Sequence, residues 1–575
     1  MGMVAREETD RIASQRAGRS DVYHVPRGEP VTESDHTFTS NISRRGILKL
    51  GTAMGMGASL TPVIAVGGNI ATSQGEPQQG GTFALPLIDN PKMWPLIGSL
   101  PNILVNKALY STLVRFDDPD LVPVGDLAES WEASADGLTW TFKLHQNATW
   151  HDGEALNADD VVFTVNQVWV NPDVNYYLRG NLAMVDNAEK VDDYTVVLHL
   201  NEAAYNLPWM LGYLANILPE HIMKDWTPDQ FTDPVDFLKS PVGSGPFKFD
   251  EAQPGSHVRL VRYDAFYGGT PHLDAVLFKV IPDIEQQLAQ LQTGELDLVI
   301  IEPHQVEAVE GNPDIRVSEA RQVNYTYIAF NNEMEPFTDP EVRKALVHAV
   351  DRQSIVENVL LGRGVLANHP ISPTLEWAYN DQAPGFEYDP EKAKQMLDAA
   401  GWTVGADGIR QKDGQALKIV LEVDKGNPVR EQTAIFAQQY WQEIGVEVEI
   451  KTSQFNDLLA RVRAGEAADV QAWIMWYITP PHPDVTAYYG CGNSTNTFNY
   501  CNEEVDAILV EARGTADVER QAEMYKDMSA IIAADAPVVF LYYPFELQAI
   551  RANVQNWPQI GYRDALNHIA EVWEA

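Results

Sequence analysis

The sequence of 575 residues contains only two cysteines, Cys491 and Cys501. Two thiols are too few for a scaffold of several disulfides or for a zinc site with four cysteine ligands. Basic residues are also scarce, with 41 lysines and arginines against 81 acidic residues and a net charge of −40. Such a charge repels phosphate backbones and anionic lipids, so nucleic-acid and membrane-surface partners are not expected. It indicates either a highly soluble surface, as in a salty habitat, or attraction of a cationic cargo.

Motifs of the common catalytic centres are missing as well. Ser244 lies in VGSGP, which lacks the first glycine of a GxSxG elbow, and there is no HExxH pair or P-loop. The 13 histidines are scattered, and His151 with Asp152 fits a turn better than a metal site. We therefore predict no catalytic residue, no metal and no cofactor. An exported hydrolase remains the alternative from a different class, because paired carboxylates leave no fixed motif.

Residues 1–75 carry the features of an export signal. A polar start predicts a disordered leader, and Arg44 and Arg45 in SRRGILK then precede an uncharged stretch rich in glycine and alanine. This order is similar to a twin-arginine signal; the alternative is a chance basic pair before a short buried helix. Cleavage is expected after Ala65 or Ala71. No cysteine follows the apolar region, so a lipoprotein anchor is not expected.

Downstream of the leader, strand patterns alternate with helical ones, which is typical of α/β lobes. The length is enough for two or three domains. The most apolar later segment, 203–219, is too short and polar for a membrane span. Strands are predicted at 139–144, 274–281, 296–300, 417–423 and 446–452, and helices at 156–169, 284–294, 339–362, 389–401 and 428–445.

Several blocks, in order along the chain, resemble the extracellular solute-binding proteins of family 5, the peptide, nickel and opine group. The blocks are LAESWEASADGLTWTFKLHQNATWHDGEALNADDVVFTV (127–165), PVGSGPFKF (241–249), TGELDLV (293–299), YIAFNN (327–332), VRKALVHAVDRQSI (342–355) and YDPEKAKQMLDAAGW (388–402). Within the second block, Gly243 and Gly245 suit backbone positions that a side chain would block. The resemblance covers roughly residues 80–565.

The resemblance implies an α/β, two-lobed periplasmic-binding-protein fold of type II, of the large class with an extra inserted subdomain. The ligand would lie in the cleft between the lobes, and the lobes would close on it about a hinge. We expect lobe I at 80–325 with the inserted subdomain near 116–240, lobe II at 326–537, and a return to lobe I at 538–575.

The resemblance also suggests which residues contact the cargo. Peptide-binding members use an aromatic residue followed by an Asp-Pro turn, and the similar segment here begins at Trp476 and ends at Asp484. Dipeptide binders hold the ligand's ammonium with a carboxylate where this chain has Thr479. Arg430 lies one residue away from the arginine that binds the ligand's carboxylate. Core packing for Trp476 and a surface ion pair for Arg430 are the alternatives.

Tyr110 and Asn331 are further predicted ligand contacts. The resemblance also implies that Cys491 and Cys501 form a disulfide, with two buried thiols as the alternative.

The implied function is that of a monomeric, non-enzymatic protein outside the cytoplasmic membrane. It would be exported by the twin-arginine translocase and would deliver oligopeptide-like cargo to the permease subunits of an ABC importer. An oligosaccharide, nickel or opine cargo is the alternative.

Overall fold

The computed structural model describes most of the chain that follows the predicted leader. The described residues are 76–117, 121–463, 469–477, 480–493 and 495–575. The predictions for Arg44, Arg45 and Thr479 therefore concern residues outside the described part. Among the described residues, no helix combines the length and apolar character that crossing a membrane requires.

The strands are numbered in chain order. They are β1 Thr82–Leu87, β2 Val114–Phe116, β3 Pro123–Gly125, β4 Ala128–Ala133, β5 Thr139–Leu144, β6 Val185–Asp192, β7 Thr195–Leu200, β8 Phe247–Gln253, β9 His257–Arg262, β10 Ala275–Val280, β11 Leu298–Ile301, β12 Ile315–Arg321, β13 Tyr325–Phe330, β14 Gly364–Leu366, β15 Thr403–Val404, β16 Arg410–Lys412, β17 Gln415–Ala416, β18 Lys418–Asp424, β19 Glu447–Ser453, β20 Ala472–Tyr477, β21 Val538–Arg551, β22 Val554–Gln555 and β23 Trp573–Glu574.

The α-helices alternate with these strands. They span Leu100–Leu109, Ala158–Phe163, Leu207–Leu214, Glu220–Met223, Pro228–Thr232, Ile284–Thr293, Val306–Val309, Pro340–His348, Arg352–Asn358, Pro390–Ala399, Pro428–Glu443, Phe455–Val462, Thr486–Tyr489, Glu503–Arg513, Val518–Asp535 and Tyr562–Ala565.

Local sequence signals account for several element boundaries. The predicted helix 156–169 begins after Asn157, whose side chain accepts a hydrogen bond from the backbone N–H of Asp159 at 2.8 Å. The predicted helix 339–362 is wrong as a single element. It is two helices, because Asp351 caps a new one by accepting a hydrogen bond from the N–H of Ser354 at 2.9 Å.

Strand pairing organises the chain into two halves. One sheet has the order β1-β10-β9-β8 and another the order β4-β5-β7-β6. The largest sheet has eight strands in the order β11-β21-β13-β20-β18-β19, with β12 and β14 also paired to β21.

The 14-residue strand β21 connects the two halves, since its two ends pair with different sets of strands. Its first part pairs with β13 and β14, and its second part pairs with β11 and β12. The chain therefore crosses between the halves along 315–330 and again along 538–551. The predicted ligand cleft between the lobes would lie beside these crossing strands.

Candidate ligand-binding site

A cavity of about 210 Å³ lies beside the crossing strands. It is bounded by the two strands that cross between the halves, the end of β11, the start of the helix Pro428–Glu443 and the end of β20. The lining residues are Ile300, Ile301, Glu302, Pro303, Gln322, Asn324, Thr326, Leu360, Arg363, Asn427, Val429, Arg430, Trp476, Tyr542, Pro544, Phe545, Glu546 and Leu547.

The floor of the cavity follows the register of the strands. Alternate residues of a strand face the same side, so Tyr542, Pro544 and Glu546 share one face of β21. Thr326 of β13 lies opposite Tyr542 across the ladder, and Ile301 of β11 lies opposite Leu547. Residues from three distant segments thereby meet at one surface.

Arg430 forms one wall of the cavity. Asn427 caps the helix by accepting a hydrogen bond from the N–H of Arg430 at 2.9 Å. The guanidinium donates to both carboxylate oxygens of Asp424 at 2.5 Å, and its carbon lies 4.2 Å from the centre of the Trp476 ring. The side chains of Arg430 and Asp424 are only 13% and 7% exposed, so this ion pair is not on the open surface. Two hydrogen bonds and one stacked ring hold the arginine in a single orientation.

Trp476 is half-buried at the end of β20. Besides Arg430, it contacts the Phe455 ring at a centroid distance of 5.4 Å. The structure thus places Trp476 and Arg430, predicted separately, in contact at one cavity. Their contact with cargo stays a prediction.

Two carboxylates line the same cavity, and the sequence reasoning did not identify them. Burial raises the pKa of Glu302, while the positive charges of His304 and Arg430 act in the opposite direction. Glu546 accepts hydrogen bonds from the Nε2 atoms of Gln322 at 2.5 Å and Gln548 at 2.8 Å. An acidic residue directly after the apolar strand LVII was the one signal that pointed to Glu302.

Asp484 lies away from this cavity, and its side chain is only 6% exposed. Its carboxylate accepts hydrogen bonds from Asn206 Nδ2 at 2.9 Å and from the N–H of Thr486 at 2.9 Å, and Arg513 Nε lies 3.7 Å from it. These contacts hold the loop that follows β20 against the segment before the helix Leu207–Leu214.

Tyr110 and Asn331 are also buried elsewhere. The Tyr110 hydroxyl donates to the Met93 carbonyl at 3.3 Å, and Asn331 Oδ1 accepts from Asn499 Nδ2 at 3.1 Å. The structure therefore does not bring Tyr110, Asn331 or Asp484 to the cavity at β21, and a role for them in ligand binding stays a prediction.

Cys491 and Cys501 are joined by a disulfide, with 4.6 Å between their Cα atoms. The N–H of Cys491 donates to the Asp506 carboxylate at 3.1 Å, which ties the loop to the helix Glu503–Arg513. In the part of the chain that the structure describes, no group of three or more His, Cys, Asp or Glu side chains is arranged to hold a metal.

Two lobes joined by crossing strands, with a cavity beside the crossing, define the class of two-lobed solute-binding proteins. The predicted α/β, two-lobed fold is confirmed. Residues 122–496 match the family model described as bacterial extracellular solute-binding proteins, family 5 middle. The chain belongs to this family.

Characterised peptide-binding proteins are similar to this chain over most of their length. Oligopeptide-binding protein AppA of Bacillus subtilis (strain 168) is 33% identical over 511 residues, which is 88% of this chain and 93% of that protein. The dipeptide-binding protein of Escherichia coli (strain K12) is 29% identical over 476 residues, which is 78% of this chain and 86% of that protein.

Solved structures agree with this assignment. AppA from Bacillus subtilis in complex with a nonapeptide has a TM-score of 0.77 at 32% identity, covering 87% of this chain and 100% of that chain. NikZ from Campylobacter jejuni in complex with Ni(L-His) has a TM-score of 0.76 at 24% identity, covering 87% of this chain and 100% of that chain, which shows the fold alone.

Proposed function

We propose that this protein is the substrate-binding component of an ABC importer and that its cargo is an oligopeptide. The observation that carries the proposal is the 32% identity to the AppA structure that holds a nonapeptide, which covers 87% of this chain and 100% of the AppA chain. The protein would work as a monomer outside the cytoplasmic membrane, capture the peptide between its lobes and release it to the permease. Lobe boundaries at 80–325, 326–537 and 538–575 are part of this proposal.

The chemistry of the site supports a long peptide over a dipeptide. A dipeptide binder must neutralise both charged ends of its ligand, since a buried charge without a partner costs roughly 3–5 kcal/mol. Asp424 already neutralises Arg430, and Asp484 accepts hydrogen bonds from Asn206 and Thr486. The neutral polar side chains of Gln322, Asn324 and Thr326 also line the cavity, and such groups suit a peptide backbone better.

Calorimetry with a nonapeptide, a dipeptide and the acetylated, amidated form of each tests the cargo. We expect the nonapeptide to bind with or without blocked ends. Trp476→Ala should weaken binding by about 1–3 kcal/mol, the scale of one large apolar side chain, whereas Trp476→Phe keeps a ring and should lose less. A strong preference for the free dipeptide, abolished by blocking either end, would contradict the proposal.

We also propose that the protein is a binder and not an enzyme. Purified protein should release no product from chromogenic peptides or glycosides while it still binds the nonapeptide. Turnover that scales with protein concentration and survives repurification would favour the exported hydrolase instead.

Export is proposed to use the twin-arginine route, on the basis of Arg44 and Arg45 before the weakly apolar stretch. Changing both to lysine should leave precursor in the cytoplasm. The matched control is Arg16→Lys with Arg19→Lys, which makes the same exchange earlier in the leader and should not affect export. Normal secretion of the variant that carries Arg44→Lys and Arg45→Lys would show that another route is used.

A further inference from the structure

The two arginines that line the cavity at β21 are already neutralised. Arg430 donates to both oxygens of Asp424 at 2.5 Å, and Arg363 forms an ion pair with Glu319. Neither Asp424 nor Glu319 lines the cavity. The acidic partners thus lie behind the arginines, and each pair presents little net charge to a ligand.

Glu302, one of the two glutamates that line the cavity, differs from the arginines in this respect. Within the described residues Glu302 has no salt-bridge partner, and Arg430 acts on it only at longer range. Glu546 accepts hydrogen bonds from the neutral amides of Gln322 and Gln548. The charge of Arg563 also reaches Glu546, but Arg563 donates to Asp564 at 2.7 Å.

Glu302 therefore leaves the cavity lining with a surplus of negative charge in a partly buried place. A carboxylate that has lost water without gaining a cation is unfavourable, and a cation placed beside it gains more than it would in bulk water. The half-buried Trp476 adds aromatic surface, which suits both an alkyl stem and a cation above a ring.

The size of the cavity indicates that it receives a single side chain of the cargo. The cavity volume of about 210 Å³ is below the roughly 300–1,000 Å³ of pockets that hold drug-sized ligands, so it is on the scale of one long side chain of a peptide that extends beyond it. The net charge of −40 would also draw cationic peptides toward the protein.

We propose that this cavity is a specificity pocket for a lysine or arginine side chain of the cargo, with Glu302 as the main carboxylate and Glu546 as the second. The inference rests on the proposed function and narrows it to oligopeptides with a basic residue at one defined position. The stem of that residue would lie along Trp476 and its cation would reach Glu302.

The test uses blocked, neutral nonapeptides that carry one lysine at each position in turn, each matched with a peptide in which norleucine replaces that lysine. Norleucine keeps the stem and lacks the charge. Calorimetry on the mature protein at about 0.3 M salt suppresses long-range attraction. At one position the lysine peptide should bind at least about tenfold more tightly than its norleucine partner, and at the other positions the two should differ by less than about threefold.

Glu302→Gln should reduce the preference at that position to below about threefold, and Glu546→Gln should reduce it in part. Glu341→Gln is the matched control, because it removes the same charge from the exposed face of the helix Pro340–His348, where Glu341 pairs with Lys344. This control should keep the full preference. Circular dichroism checks folding, and Glu302→Gln alone decides the outcome if Glu546→Gln does not fold.

Equal affinity for lysine and norleucine peptides at all positions would overturn the pocket and leave the proposed function intact. A lysine preference spread over all positions, or one that survives in Glu302→Gln, would also overturn it, because net charge would then be the cause. If no nonapeptide binds, the proposed function itself fails and the pocket fails with it.

Discussion

Gly243 occupies a position where the backbone of one segment touches the backbone of another. A Cβ atom at this position would lie 1.9 Å from the carbonyl oxygen of Leu109 and 3.1 Å from the His151 ring. The N–H of Gly243 donates to His151 Nδ1 at 3.2 Å, and His151 Nε2 donates to the Gly245 carbonyl at 3.0 Å. The glycine turn, the histidine and the end of the helix Leu100–Leu109 thereby form one packed unit.

Gly243→Ala should lower the free energy of unfolding by about 3 kcal/mol or more, because the Leu109 carbonyl is backbone and cannot move aside alone. Gly180→Ala is the control: an added Cβ at Gly180 meets nothing within 4 Å. That variant should stay within about 0.5 kcal/mol of the parent protein. Urea unfolding of both variants checks this, and equal stability would mean that the turn relaxes without cost.

Residues in strong local patterns could be predicted from the sequence, and residues that depend on remote partners could not. Gly243 and Gly245 stood out because the PVGSGP turn left little choice of residue type. Trp476 and Arg430 were identified through the family resemblance. Glu302 and Glu546 were missed, since they meet only where β11 pairs with β21, about 245 residues further along the chain.

At the scale of elements, the loop from Cys491 to Cys501 depends on both its disulfide and its hydrogen bonds. Asn496 Nδ2 donates to the carbonyls of Gly490 at 3.0 Å and Tyr500 at 2.6 Å. The disulfide closes a loop with a sequence separation of 10 residues.

Replacing both cysteines by serine should lower the free energy of unfolding by about 3 kcal/mol, the chain-entropy cost for a loop of this length. Urea unfolding of the double variant and of the oxidised parent gives the difference. The reduced parent protein is the control and should show the same loss. A loss under about 1 kcal/mol would indicate that the Asn496 hydrogen bonds are sufficient to order the loop.

Elements with a clear hydrophobic periodicity agree closely with the predictions made from the sequence. For example, β5 coincides with the predicted strand 139–144. The prediction of one continuous helix over 339–362 was wrong. The helical spacing of apolar residues continues through Asp351, but the side chain of Asp351 caps a second helix by accepting a backbone hydrogen bond, and the chain breaks there. Pairing could not be predicted: nothing in VVFLYYPFELQAIR shows that its first part pairs with β13 and β14 and its second part with β11 and β12.

At the scale of the whole molecule, three buried histidines share one arrangement. In each of them, His151, His369 and His482, the Nδ1 atom accepts a hydrogen bond from a backbone N–H at a distance of 3.2 Å. A proton on Nδ1 would remove this hydrogen bond. Burial lowers the pKa of each of them to about 4. Glu574 acts in the opposite sense, because burial and the nearby charge of Asp297 raise its pKa to about 7.

These shifts predict how stability depends on pH. Above the ordinary histidine pKa of about 6.5, the rings are neutral in the folded and unfolded chain alike, and they contribute no pH dependence. As the pH falls from 6.5 toward 4, the unfolded chain binds three protons that the folded protein resists, while Glu574 binds one in the folded protein. For these four groups together, unfolding near pH 5.5 should take up about two protons, so as the pH falls they should lower the free energy of unfolding by about 2–3 kcal/mol per pH unit.

Urea midpoints between pH 7.5 and 5 measure that slope. His369→Gln is the informative variant, because glutamine can still accept from the N–H of Ile371 and donate to the Asn380 carbonyl, the two bonds that His369 makes. Without a titrating ring, proton uptake on unfolding should fall by about one, and the slope should become shallower by about 1.4 kcal/mol per pH unit. A parent protein whose stability is flat from pH 6.5 to 5 would show that the three rings accept protons in place, and the Nδ1 hydrogen bonds would then not hold them neutral.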